Sequence, residues 1–433
     1  MARRLPALAP WSKLAVRAAL GDASFRYLLL DNTFGMLGFH VRIMAQAWLV
    51  LRMTDSDVWV GLANGLPAIP VAILVLFGGV LADRTDRRML LVWTRVIFAA
   101  FGLITAALVS ANAIELWHVV ALGFAIAAAS AFGVTASQTL IVDIVGRERL
   151  FGANAMFGVT MNLATFVGPA IGGVLITRLG VEAGFYFAAA VLVVAAGSAS
   201  FIRVAGPAPR SQKTSVMYDL REGLSYVMAT PVLRWLLFLG FLLVFGGMYI
   251  PLMPRYARDV LDAGVQGYGT LLTAMGLGGL VGSASLIAAG NVRSLGLVLA
   301  GVAVLFLLLM IVFAFSTSLP LSSAVSFGFG FLIVWWSNSL RTAFQITAAD
   351  EMRGRVMGLF SLNMQMLTLA WLVGGASSQL IGPRATMVSG MVVTAFFYVL
   401  AYVRSPDLRR LGHSDALAAP AGPMPSGPEA RGR

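Results

Sequence analysis

Twelve stretches of about 20 or more mostly apolar residues constrain this chain more than any other feature. They run over 26–51, 58–82, 89–111, 116–142, 153–177 and 183–203, and then over 232–253, 267–289, 295–316, 320–346, 356–381 and 384–404. Each is long enough to cross a bilayer. Each must do so as a helix, because lipid offers backbone N–H and C=O groups no hydrogen-bond partner. The composition agrees: only 12% of residues are charged and 59% are hydrophobic, against roughly 25% charged in an ordinary soluble domain. A soluble fold of this composition could not cover its own surface. The expected fold class is therefore an all-α membrane protein of twelve transmembrane helices.

An even number of spans puts both termini on one side of the membrane, and the basic residues identify it. Of the 31 Lys and Arg residues, 23 fall in the N-terminal segment, the even-to-odd loops and the tail, against five on the opposite side. Arg42, Arg95 and Arg341 lie inside spans. The positive-inside bias predicts that both termini are cytoplasmic. It also accounts for the net charge of +12 without nucleic-acid binding. Residues 1–22 carry no long apolar core followed by a small-residue cleavage site, so a cleaved signal peptide is not expected there.

Residues 204–231 form the longest polar interruption. Val216, Met217, Leu220, Leu224, Val227 and Met228 share one helical face, which predicts a short amphipathic helix on the cytoplasmic surface. The expected organisation is a cytoplasmic segment (1–25), a six-helix bundle (26–203), a linker with its amphipathic helix (204–231), a second six-helix bundle (232–404) and a disordered Pro-, Gly- and Ala-rich tail (405–433).

The halves repeat. A shift of 207 or 208 residues brings Gly61 onto Gly269, Asp83 onto Asn291, Gln138 onto Gln345, Asp143 onto Asp350 and Gly168 onto Gly375. Each pair holds the same topological place in its half. Parallel duplicated halves suit a carrier whose substrate site lies between them near the midplane.

The loop after the second span reads Gly79-Val80-Leu81-Ala82-Asp83-Arg84-Thr85-Asp86-Arg87-Arg88. It resembles the cytoplasmic signature of the major facilitator superfamily, G-x-L-A-D-R-x-G-R-R, with Asp86 in place of the second glycine. Gly79 permits close helix approach, Asp83 suits a facing helix N-terminus, and Arg84, Arg87 and Arg88 suit acids at cytoplasmic helix ends, Asp143 being the expected partner. Such a latch would hold the outward-facing state. The alternative is that the arginines only fix topology. The fifth span carries Gly168-Pro169-Ala170-Ile171-Gly172-Gly173, resembling the G-P-x-x-G-G motif of exporters in the superfamily, where proline breaks the helical ladder and glycines permit bending and close packing. Trp48-Leu49-Val50, Met53-Thr54-Asp55-Ser56, Asp219 to Leu224, Gly267-Tyr268-Gly269 and Arg353 to Gly358 are similar to the branch containing enterobactin exporters and macrolide-efflux proteins. That resemblance spans residues 25–404. It implies a bacterial inner-membrane exporter of a hydrophobic or amphipathic small molecule, monomeric and driven by protons.

Ionisable groups inside spans are costly and mark candidate sites. Asp31, His40 and Arg42 are the candidates for transport or proton coupling. Asp31 either carries a proton or pairs with Arg95 or Arg341, His40 is either a proton carrier or a satisfied core histidine, and Arg42 either lines the cavity or belongs to a buried pair. Gln46, Gln138, Asn162, Asn338, Arg341, Gln345, Asn363 and Gln365 are candidates for lining the cavity or bonding between helices. The fourth span lacks the arginine that many drug–proton antiporters of the superfamily carry, which leaves coupling through Asp31 or a facilitator as alternatives.

Other classes fare worse. The chain has no cysteine, and its three histidines, His40, His118 and His413, lack metal-site spacing. No catalytic cluster, metal or cofactor is expected. The duplicated halves argue against a channel. An importer, a facilitator of a metabolite or lipid, and a non-transporting receptor of the same fold remain as alternatives.

Overall fold

The computed structural model describes residues 21–71, 74, 85–203, 216–290, 294–349 and 351–411. Within them, eleven helices are long and apolar enough to cross a membrane. We label the helices α1 (Ala23–Thr54), α2 (Asp57–Gly65), α3 (Arg87–Ser110), α4 (Leu116–Gly146), α5 (Gly152–Leu179) and α6 (Val181–Ser200). After the linker helix α7 (Val216–Ala229) come α8 (Pro231–Val260), α9 (Gly264–Ala289), α10 (Leu295–Phe315), α11 (Leu319–Thr347), α12 (Arg353–Ile381), α13 (Pro383–Arg404) and the short α14 (Pro406–Arg410). The expected second span, 58–82, is described through α2 and the few helical residues after it, and the rest lies outside the described residues. The protein is an all-helical, multi-pass membrane protein of two bundles, with no strand among the described residues.

Polar residues set the helix ends. Asp22 caps α1, accepting hydrogen bonds from the Ser24 and Phe25 amides at 2.8 and 3.3 Å. Asp86 does the same for α3, at 2.9 Å from the Arg88 amide and 3.3 Å from that of Met89. This explains its place in the signature loop: its φ of −64° needs no glycine, and its carboxylate satisfies two amides that a glycine would leave open. Gly146, at φ +70°, breaks the helical run into α4 and α5, a left-handed conformation that glycine adopts at little cost.

In the first bundle, α1 packs on α5 and α6, and α3 packs on α4 and α6. In the second, α11 packs on α9 and α10, and α10 on α13. Its core is aromatic: the Phe306 and Phe329 rings stack at 4.7 Å, with Tyr249 5.1 Å from Phe329. The linker helix docks on the second bundle through Glu222–Arg355 (3.0 Å) and the Tyr226 hydroxyl, which accepts from the Ala349 amide at 3.2 Å. The expected tail begins differently. Residues 405–411 form an ordered turn and helix, capped by Ser405, with Leu408 buried and the Leu411 carbonyl accepting from the Leu295 amide at 3.0 Å. Leu408 supplies the apolar anchor that the Pro/Gly-rich composition obscures.

The repeat reappears at the bundle interface. Gly61 on α2 lies so close to α12 that a Cβ would sit 2.2 Å from the Trp371 carbonyl oxygen. Its repeat mate Gly269 on α9 faces α5, where a Cβ would sit 2.9 Å from Gly173 Cα and 3.0 Å from the Pro169 carbonyl oxygen. The 208-residue shift thus relates the α2–α12 contact to the α9–α5 contact, and the same glycine permits both approaches.

Candidate functional site

The two bundles meet through α2 and α12 on one side and α5 and α9 on the other. One end of this seam carries a charged cluster. Asp57, in the first turn of α2 and only 8% exposed, accepts from Arg255 Nε at 2.7 Å and from the Ser378 hydroxyl at 2.8 Å. Arg255 also donates to the Asp55 carbonyl oxygen and lies 3.4 Å from Asp259. Arg258 bonds Asp55 and Asp259, both at 2.5 Å. Hydrogen bonding from Arg258, with the charges of Arg255 and Arg258, holds the exposed Asp55 carboxyl below the usual carboxylate range. The cluster ties the α1–α2 turn to α8 and to α12.

On the other side, the α5–α9 seam runs through Gly173 against Gly269 and Phe166 against Gly276 to Asn162, whose amide donates to the Ser283 hydroxyl at 3.2 Å. Pro169 sits inside α5. Gly168 and Gly172 face α1, against His40 and Met44, whereas Gly173 faces α9. The motif therefore lets α5 press on both neighbours at once.

The membrane-embedded candidates separate into distinct groups. Asp31 is fully buried and pairs with Arg95 on α3 through both oxygens, at 2.8 and 2.9 Å. Gly35 makes room for that guanidinium, since a Cβ would fall 2.7 Å from Arg95 Cζ. His40 is partly exposed, with Nε2 3.0 Å from the Thr165 hydroxyl on α5. Arg42 donates to Gln46 Oε1 at 2.6 Å and lies 5.9 Å from the Phe39 ring. Gln46 in turn donates to the Ala63 carbonyl on α2 at 3.0 Å. So Asp31 and Arg42, about three turns apart on α1, belong to different networks: one is an ion pair and the other joins a cation to neutral groups.

The other polar candidates scatter. Gln138, Asn338 and Arg341 are exposed, Asn338 donating only to the Val334 carbonyl of its own helix. Gln345 is partly exposed, and its carbonyl accepts from Arg353 at 3.3 Å. Asn363 is buried and bonds the Leu237 carbonyl on α8 at 3.0 Å. The Gln365 side chain lies outside the described residues, as do Gly79, Asp83 and Arg84 of the signature loop and Asn291 and Asp350 of the repeat. Arg87 forms an ion pair with Asp143, with Arg87 buried at 7% exposure, and Arg88 is placed beside it at the start of α3.

Sequence spacing does not reveal the charged cluster at this end of the α2–α12 contact. Arg255 and Arg258 are two of the five basic residues on the minority side, and Asp57 and Ser378 belong to no motif. A faint signal existed, because opposite charges gather at span ends on the same side. Their pairing across about 200 residues is set by bundle geometry, which spacing does not encode.

Two packed bundles of membrane-crossing helices, joined along two glycine-lined seams, form the architecture of a transporter. Comparison with known proteins agrees. Residues 15–422 match the family model described as transmembrane secretion effector, and the chain belongs to that family of the major facilitator superfamily. It is 28% identical to the multidrug efflux pump Tap of Mycolicibacterium fortuitum over 86% of this chain and 93% of that protein. It is 28% identical to the enterobactin exporter EntS of Escherichia coli over 58% of this chain and 59% of that protein. Its fold is like that of a bacterial homologue of the human lysosomal transporter Spinster, solved in an inward-facing, unoccupied conformation, with a TM-score of 0.67 at 14% identity, covering 93% of this chain and 99% of that one. Family and fold are those of transporters rather than enzymes.

Proposed function

We propose that the protein is a secondary active exporter of a hydrophobic or amphipathic small molecule, working by alternating access in the bacterial inner membrane with both termini cytoplasmic. The observation that carries this reading is the charged seal at one end of the bundle contact. The Asp55–Asp57–Arg255–Arg258–Ser378 cluster closes the end that the arginine distribution assigns to the periplasm. A carrier must hold one end shut while the other opens, and hydrogen-bonded ion pairs across the bundles do this with a reversible stake of a few kcal/mol. On this reading the structure is inward-facing. The Arg87–Asp143 pair and the signature loop belong to the opposite gate.

Export rather than import is supported by the Gly168–Gly173 motif at the α1–α5–α9 contact and by the efflux activities named for the two relatives. Protons are the proposed driving ion. With Asp31 held by Arg95 through both oxygens, His40 carries the coupling proposal: it bonds Thr165 on α5, a helix of the seam, so a change in its charge acts directly on a moving contact. Arg42, with Gln46 and Phe39 as neutral partners, is proposed to line the substrate path. The chain acts as a monomer.

The test is accumulation of hydrophobic dyes in efflux-deficient bacteria expressing the protein. The expected result is lower dye retention, restored by a protonophore. Dye uptake that rises with the proton gradient would replace export with import.

A further inference from the structure

A groove of about 730 Å³ lies away from the bundle seam. Its walls are α8 (Trp235, Leu237, Phe238, Phe241), the start of α12 (Leu359, Leu362, Asn363) and α13 (Phe397, Leu400), and the linker helix α7 covers one end with Leu224 and Met228. The lining is apolar apart from Arg234 and Asn363, whose Nδ2 donates to the Leu237 carbonyl while its Oδ1 is buried without a partner. Leu224, Met228, Phe238 and Phe241 are exposed.

The charge is confined to one mouth. Arg234 is exposed where α7 meets α8, and its recorded contact is a long one, 3.5 Å from the Met228 carbonyl oxygen. Arg221 is also exposed and lies on the same face of α7 as Leu224 and Met228, at spacings of three and seven residues. Among the described residues neither arginine has an ion-pair partner. From Arg234 the groove follows Trp235, Phe238 and Phe241 down one stripe of α8, a depth of about 10 Å, within the roughly 15 Å of hydrocarbon in one leaflet. An apolar slot of leaflet depth, with Arg234 at its membrane-surface end and Arg221 one turn before Leu224 on the covering helix, neither ion-paired among the described residues, has the shape and charge of a phospholipid site.

We infer that this groove is a binding site for an anionic phospholipid of the cytoplasmic leaflet, with one acyl chain along Trp235, Phe238, Phe241 and Leu400 and the phosphate between Arg221 and Arg234. The site lies on the linker and the second bundle, so an occupant bridges the segment that joins the two bundles to α8, α12 and α13. Neutral lipid fills the same slot but leaves both arginines without a counter-charge.

The test is native mass spectrometry of the full, delipidated chain with equal amounts of palmitoyl-oleoyl phosphatidylglycerol and phosphatidylcholine. Wild type is expected to retain one phosphatidylglycerol in preference. Arg221→Gln and Arg234→Gln each lower that retention about fivefold, and together about thirtyfold, at the usual worth of an arginine near an anionic headgroup. Arg203→Gln, an exposed arginine on the first bundle, leaves it unchanged. Equal retention of the two lipids by wild type overturns the inference, as does an undiminished preference in the double variant or an equal loss in the Arg203 control. A second measurement needs no variant: phosphatidylglycerol carrying a photoreactive diazirine acyl chain should label α8, α12 and α13. Labelling spread over the other helices, or confined to the bundle seam as a transported substrate would label it, overturns it.

Discussion

Replacing Asp57 with asparagine should weaken the seal at one end of the molecule without disturbing its packing. The side chains are nearly isosteric, and the asparagine oxygen still accepts from the Ser378 hydroxyl. What is lost is the charged acceptor for Arg255 Nε, now 2.7 Å away, in a site where Asp57 is 8% exposed and Arg255 22%. A charge-assisted hydrogen bond of this kind contributes about 1.5–3 kcal/mol. Arg255 keeps Asp259 and the Asp55 carbonyl as partners, so the larger penalty for stranding a buried charge does not apply in full. A loss of about 2–3 kcal/mol shifts the ratio of sealed to open molecules about 30- to 150-fold toward open. The chain has no native cysteine, so spin labels can be placed freely. Arg178→Cys and Leu321→Cys sit at exposed positions on the two bundles at that end, outside the cluster. Double electron–electron resonance should give a short-distance population in the parent and a new, longer one in Asp57→Asn. An unchanged distance distribution in both Asp57→Asn and Arg255→Gln would refute the claim that the cluster holds the bundles together.

Further outcomes follow from the same geometry. Gly61→Ala and Gly269→Ala each place a methyl group within 3 Å of the facing backbone. Each should destabilise the sealed form by about 1–3 kcal/mol, read as a longer distance with the same label pair; an unshifted distance in both would contradict the close packing. Asp31→Asn strands the Arg95 guanidinium and should lower the melting temperature in detergent by an amount matching about 3 kcal/mol or more. The double change Asp31→Asn, Arg95→Gln should recover part of it, and failure of any single variant to lower the melt would show that the pair is not structural. Asp55 is held below the usual carboxylate range, so its contribution to the seal is present above about pH 4 and lost as the pH falls through its depressed value. Asp55 itself should therefore leave the label distance unchanged from pH 8 to pH 5, and any opening within that window that persists in Asp55→Asn belongs to another group, His40 being the one the coupling proposal names. Arg42→Gln should reduce dye efflux at least tenfold while leaving the melting temperature nearly unchanged, since the partners of Arg42 are neutral; intact efflux would remove it from the substrate path.

Much of the architecture was legible in the chain because membrane physics writes it locally. Span length and the glycine repeat each reflect a constraint acting on one helix or one turn, and the Gly61 and Gly269 contacts show that even the seam left a mark. The Asp31–Arg95 pair is one of the alternatives the sequence allows, because both residues lie inside spans at comparable depth. The cap made by Asp86 is readable in principle, as an acid just before a helix. The charged cluster around Asp57 was not legible. Its members come from the ends of α1, α2, α8 and α12, and nothing in their spacing says which ends meet. The scattered polar candidates show the same limit in reverse. Gln138 and Asn338 look alike in sequence to Gln46, yet only Gln46 faces a neighbouring helix with an open carbonyl.

The central claim, that this transporter moves its substrate outward at the expense of a proton gradient, is tested most directly in proteoliposomes. Purified protein is reconstituted, an inward- or outward-directed proton gradient is imposed, and movement of a hydrophobic dye such as ethidium is followed by fluorescence. The account predicts dye movement opposite to the proton flow, abolished by a protonophore and weakened by His40→Ala. Dye movement that ignores the gradient, or that runs in the same direction as the protons, would contradict it.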